Sequence, residues 1–255
     1  MKKIIPPLVS FLILLVALEF IVQWNWVHES LLPSPSSVGQ ALWENRGDFS
    51  AAFFSTLKNT LWGWLFSILV GFLIAFCFSL SKILRQALLP FAIFFQTVPI
   101  IALAPLLVIY FGFGAPTVIA ASFIVALFPM IANTLMGLDS ALPAQKDLFR
   151  LYGASPWQIL WKLQLPSAWN YIYSGLKISA GLAIIGAIAG EFVSGGGLGA
   201  IIDSAKTQQR VDLVFAALFL LSVMGLLLLA TLALLERLFF HRFSFSATSH
   251  LRRSV

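Results

Sequence analysis

Residues 147–166 read DLFRLYGASPWQILWKLQLP, from Asp147 to Pro166, a polar interruption between two very hydrophobic regions. Ser155-Pro156-Trp157-Gln158 joins an N-cap serine, proline at the first helical position and glutamine three residues after the cap, so a helix should begin here. Gly153 can end the helix before it, and Leu165-Pro166 should stop the new one. The expected shape is helix, sharp turn, short helix, second break. On the short helix Trp157, Leu160 and Trp161 recur at helical spacing as an apolar patch for a partner that docks from the water side.

Outward from this loop the chain is 60% hydrophobic and only 10% charged over 255 residues, which excludes an ordinary soluble protein. Apolar runs long enough to cross about 30 Å of hydrocarbon lie near Leu8 to Val22, Leu61 to Leu80, Phe91 to Phe111, Pro116 to Leu135, Leu176 to Ala189 and Leu213 to Leu235. The expected fold is all-α, a polytopic membrane protein of about six transmembrane helices, with a short first and a short fifth span. The first follows Lys2 and Lys3 like a signal peptide, but no A-x-A site comes after it, so an uncleaved anchor is expected.

Six spans place both termini on one side. Arg46, Lys58, Lys206 and Arg210 fall opposite, and every other Lys and Arg shares the side of the termini and of the 147–166 loop, which is therefore expected to be cytoplasmic. The net charge of +6 is this topological signal rather than a nucleic-acid footprint. Trp24, Trp26, Trp62 and Trp64 fit an interfacial belt. Cys77 should be a packing residue inside the second span.

Within the spans, Gly63, Ser67, Gly71, Ala75 and Ser79 repeat every fourth position and invite close approach by another helix, of this chain or of a second copy. Pro99, Pro105 and Pro129 should kink or unwind their helices. Leu32-Pro33-Ser34-Pro35 is a turn before an amphipathic helix from about Val38 to Trp43. No G-x-x-x-x-G-K-[ST] is present, so if the chain serves a pump its ATPase is expected to be another chain, and Ser194 to Gly199 should be a flexible turn. His28, His241 and His250 lack metal-ligand spacing. Glu19 should reach the outer interface. Glu191 follows a small-residue run and is either a pathway residue or a carboxylate satisfied by backbone or Lys177. Gln96, Thr97, Pro99, Asn133 and Thr134 could face a polar route.

Gly153, nine residues, then Leu163-Gln164-Leu165-Pro166 resembles the EAA loop of ABC-importer permeases, with Asp147, Leu148 and Phe149 where that family most often has Glu, Ala and Ala. Leu32 to Pro35, Val98 to Leu106, Phe111 to Gly114 and Gly190-Glu191-Phe192 are similar to the nitrate/sulfonate/taurine branch of binding-protein-dependent permeases. The resemblance implies a type I ABC-importer permease bundle in a bacterial cytoplasmic membrane. It divides the chain into an anchor and extracytoplasmic segment (1–50), the permease domain (51–240) with its coupling loop (138–168), and a cytoplasmic tail (241–255).

It implies as partners two ATP-binding cassette subunits that hold ATP and Mg, a second permease copy, and an extracytoplasmic substrate-binding protein. Asp147, Gly153, Ser155, Pro156, Trp157, Gln158, Leu160, Trp161, Leu165 and Pro166 would then couple the permease to the ATPase. The implied cargo is a small anion, or a pyrimidine- or riboflavin-type vitamin precursor. An ATP-independent transporter or channel would have no use for the docking helix, and an intramembrane enzyme would need a nucleophile and base, or a metal set, converging in the membrane, where no expected span holds a histidine.

Overall fold

The computed structural model describes residues 5–240, and no strand occurs among them. The expectations for Lys2, Lys3 and the tail from His241 onward, His250 included, lie outside the described residues. The elements are α1 (Ile5–Gln23), α2 (Pro35–Glu44), α3 (Arg46–Leu80), α4 (Lys82–Thr97), α5 (Ile100–Phe111), α6 (Ala115–Asp139), α7 (Pro143–Leu151) and α8 (Pro156–Ile159). A π-turn (Leu160–Gln164) joins α8 to α9 (Leu165–Ser194), followed by α10 (Gly197–Thr207) and α11 (Val211–Phe240).

The small-residue stripe explains the core. Gly63, Ser67, Gly71 and Ala75 are buried on one face of α3, and the position a Cβ would take at Gly63 is filled by Ser122 of α6. The close approach is therefore made within the chain. Leu61, Leu65 and Leu69, on the other face of α3, are exposed and suit lipid. α6 and α9 also meet backbone to backbone, where Gly186 meets Ala121 and Gly190 meets Val118. Trp64 turns inward from the expected aromatic belt, its Nε1 donating to Ser179 Oγ of α9 at 2.9 Å.

Hydrogen bonds define the two ends of the bundle. The Gly114 amide donates to the Ser194 carbonyl at 3.3 Å, which sets the start of α6 beside the end of α9. At the other end Arg85 pairs with Asp139 at 2.7 Å, and Gln164 Nε2 donates to the Leu138 carbonyl at 3.0 Å.

Four helical runs are long and apolar enough to cross a membrane: α3, α6, Pro156–Ser194 and α11 up to Leu238. The third expected span is a bent pair, α4 and α5 meeting at 102°. Pro99 causes the break, because it lacks an amide proton and forces Val98 into extended backbone. The fifth expected span is not short but part of a 39-residue run. In α1 the stretch Val9–Gln23 is apolar and short, as expected for the first span, so the described residues hold four full spans, or five with the bent pair, beside it.

Outside the core, α2 begins earlier than the expected Val38, capped by Ser34. Glu19 does not simply meet solvent: its carboxylate accepts from the Ser36 amide at 3.0 Å and hydroxyl at 2.6 Å, tying α1 to the first turn of α2. Cys77 is exposed rather than packed. It faces an apolar groove of about 640 Å³ bounded by α3, α4, α5 and α6.

Candidate coupling site

α7 ends in a Schellman turn. The Gly153 amide donates to the Arg150 carbonyl at 2.9 Å and the Ala154 amide to the Phe149 carbonyl at 3.0 Å, with Gly153 at φ +72°. Two residues on, α8 starts with a closed capping box. The Gln158 amide donates to Ser155 Oγ at 3.3 Å and the Ser155 amide to Gln158 Oε1 at 2.8 Å. Pro156 occupies the first turn, where its missing amide proton costs nothing. The elbow between α7 and α8 is thus fixed by local chemistry.

The exit of α8 departs from expectation. Leu165-Pro166 does not end the helix, because Leu160–Gln164 widens into a π-turn and the chain runs on into α9 with Pro166 in its first turn. Proline cannot donate, and in a plain α-helix its ring would meet the carbonyl four residues back. The wider turn relieves that conflict.

Of the three apolar side chains expected on one docking face, Trp157 is 56% and Trp161 47% exposed, but Leu160 is fully buried. Leu160 packs with Met130, Leu138, Ala168 and Ile172, so it anchors α8 to the bundle instead of meeting a partner. Trp161 sits between Trp157 and Phe76 of α3, ring centroids 5.7 and 5.9 Å away. Across the turn, Leu151 at the end of α7 and its C-cap Tyr152 are 85% and 84% exposed. A groove of about 440 Å³ between α7 and α8 is lined by Leu148, Phe149, Tyr152, Ala154, Gln158 and Lys162.

Sequence reasoning left Leu151 and Tyr152 out of the patch. Their signal was two bulky apolar residues directly before a helix-ending glycine. Asp147 forms an exposed ion pair with Arg150 at 3.0 Å.

Leu160→Ala should lower stability by about 2–5 kcal/mol through the cavity it leaves. Trp157→Ala, half in solvent, should shift it by about 0.5 kcal/mol. Melting of the detergent-solubilised protein measures both, and equal shifts would put Leu160 on the surface.

The residues expected along a polar route are not gathered into one site. Gln96 borders the apolar groove, Thr97 Oγ1 donates to the Phe94 carbonyl at 2.7 Å, and Pro99 stands exposed at the α4–α5 break. Asn133 packs against Gly175, its Nδ2 donating to the Pro129 carbonyl at 2.8 Å. Thr134 is buried on α6. Glu191 lies about 24 Å further along α9 from Gly175, at the usual helical rise.

Glu191 is 1% exposed and accepts from Thr56 Oγ1 and the Gly199 amide, both at 2.8 Å. Lys177 is not its partner, because that ammonium lies 3.9 Å over the Tyr173 ring.

The fold is that of solved transporter subunits. A chain of the methionine ABC transporter MetNI in an inward-facing crystal form superposes at TM-score 0.69 and 18% identity, covering 76% of this chain and 96% of that one. In sequence, the chain is 33% identical to the formylaminopyrimidine transport permease protein ThiX of Halalkalibacterium halodurans, over 82% of this chain and 84% of that protein. It is 30% identical to the riboflavin transport system permease protein RibX of Chloroflexus aurantiacus, over 90% and 87%. Residues 67–242 match the model of the binding-protein-dependent transport system inner membrane components, and the chain belongs to that family.

Proposed function

We propose that this chain is the membrane-spanning subunit of an ATP-driven importer built from two copies of it, two ATP-binding cassette subunits and an extracytoplasmic substrate-binding protein. The observation that carries this reading is the α7–α8 elbow. Leu151, Tyr152 and Trp157 are exposed at one end of the bundle, on a turn rigidly capped at Gly153 and Ser155. Clustered aromatic and aliphatic groups on a rigid polar-flanked loop suit a protein partner.

ATP and Mg would sit on the cassettes, whose closure would press on α8. The helical run Pro156–Ser194 is about 58 Å long at the usual rise, so motion at the elbow would be delivered across the membrane and switch the bundle between inward- and outward-open states. With the cassettes at this end, the elbow is cytoplasmic, and with α1 as a shorter sixth crossing both termini of the multi-pass chain would lie on that side of a bacterial cytoplasmic membrane.

For the cargo, the relatives divide between vitamin-precursor permeases and inorganic-anion permeases, and the groove beside α4 and α5 supports a small heteroaromatic vitamin precursor. The groove lined by Phe91, Phe95, Gln96, Tyr110 and Phe128 offers flat apolar walls and no cation, which suits such a ring better than a nitrate- or sulfonate-like anion.

The test is a mild-detergent pull-down of the tagged chain with mass spectrometry and an ATPase assay of what co-purifies. An ATPase is expected with the wild type and not with Trp157→Asp, whose charge at the centre of the patch would have to be desolvated. Recovery of the intact, folded chain alone would point to an ATP-independent transporter or channel.

A further inference from the structure

α10 begins with a helix terminus that cannot cap itself. Its N-cap is Gly196, which has no side chain, yet the first amides of the helix lie inside the protein. The Leu198 amide donates to Thr56 Oγ1 of α3 at 2.9 Å, and the Gly199 amide to Glu191 Oε2 of α9 at 2.8 Å. Thr56 Oγ1 in turn donates to Glu191 Oε1 at 2.8 Å. Three helices are closed into one ring of hydrogen bonds, with Thr56 fully buried and Glu191 almost so.

The room for the carboxylate is made by glycine. A Cβ at Gly197 would overlap Glu191 Oε1, and one at Gly199 would lie 2.6 Å from the Glu191 Cβ. The N-terminal end of α10 also favours negative charge, so burial of the carboxylate is offset on both oxygens.

α10 holds more than itself. Leu198 and Ile202 fill the space between Phe49 and Ala52 of α3 and Ala216 and Ala217 of α11, with Val38 and Leu42 of α2 packed on the same cluster. Its far face is polar and exposed, carrying Asp203, Lys206 and Thr207. Glu191 stands near one end of the continuous run Pro156–Ser194, and α8 is the other end.

We infer that Glu191 and Thr56 form the joint through which the position of α10 is transmitted to α8, so that Glu191 is a positioning residue of the transport cycle rather than a contact for the solute. This rests on the importer reading for the role of α8. The joint has a defined chemistry: Thr56→Val removes the shared hydroxyl at nearly constant shape, and Glu191→Ala removes both acceptors. Thr56→Ser keeps the hydroxyl. In Glu191→Gln the amide oxygen can accept from Gly199 while its NH₂ donates to Thr56.

The test is hydrogen exchange, by mass spectrometry, of segment 197–207 in the complex with its co-purified ATPase in nanodiscs, with and without MgATP and vanadate. Coupling between sites is reciprocal, so trapping nucleotide should change wild-type protection of α10. Thr56→Val and Glu191→Ala should exchange on the order of tenfold faster there and lose the nucleotide response, with segment 118–135 unchanged. Thr56→Ser and Glu191→Gln should behave as wild type.

A wild-type α10 indifferent to nucleotide, or a response that survives in Thr56→Val and Glu191→Ala, would overturn the joint. Absence of any ATPase from the wild-type sample would instead remove the importer reading, and is seen before any exchange is measured. The exchange rates of the variants then still decide whether the ring holds α10.

Discussion

Gly186→Leu should abolish the folded permease, whereas Gly181→Leu, five residues earlier on the same helix, should leave it intact. A Cβ at Gly186 would stand 2.6 Å from the Ala121 carbonyl oxygen and 2.8 Å from the Ser122 Cα. Both are backbone atoms of α6 and can yield only if the helix moves. The penalty is therefore expected at or beyond the top of the about 1–3 kcal/mol range for overpacking, because the whole α6–α9 crossing must open. At Gly181 nothing lies within 4 Å. There a better helix former should help slightly.

Size-exclusion chromatography of a fluorescent fusion measures the outcome. A single symmetric peak for Gly181→Leu and aggregate for Gly186→Leu is expected, and two equal profiles would mean that α6 and α9 do not meet at this depth. Gly190→Leu provides a second case, since its Cβ would fall 2.9 Å from the Val118 Cα.

The contrast between these glycines marks what the sequence could reveal. The every-fourth spacing of Gly63, Ser67, Gly71 and Ala75 on α3 was legible because it is a local periodicity. The capping box at Ser155 and Gln158 was legible because its partners are three residues apart. Hydropathy located the membrane segments but misjudged their lengths. On α9, polar residues such as Asn170, Ser174 and Lys177 interrupt the apolar run, although the helix continues through them.

The π-turn at Leu160–Gln164 was hidden because a proline signals a conflict without saying how the backbone resolves it. α10 was hidden because its cap comes from Thr56 and Glu191. Thr56 and Leu198 are 142 positions apart, a distance at which no local pattern operates. The exposed surface of the elbow was half legible: Trp157 and Trp161 are exposed as their spacing suggests, Leu160 is buried instead, and Leu151 and Tyr152 across the turn were left out. Spacing gives the face of a helix but not which part of that face the rest of the protein covers.

On the proposed importer reading, Gly153 is the position at which coupling should be lost without loss of the permease. A side chain there meets nothing within 4 Å, so bulk alone is not the obstacle. The obstacle is the backbone, held at φ +72° by the Schellman turn that ends α7. An L-residue in that conformation costs about 1–2 kcal/mol, least for asparagine and most for a β-branched residue.

Relief of the strain would rotate α8 relative to α7, and the exposed faces of Tyr152 and Trp157 would no longer form one surface. Transport per ATP hydrolysed in proteoliposomes, at equal amounts of inserted permease, should therefore fall in the order Gly153→Asn, Gly153→Ala, Gly153→Val, with asparagine near wild type and valine at background. Ala should already be impaired, because the penalty begins with the first carbon added. If alanine is silent and only large side chains fail, the residue at 153 touches the partner directly, and the turn geometry is not what sets the coupling.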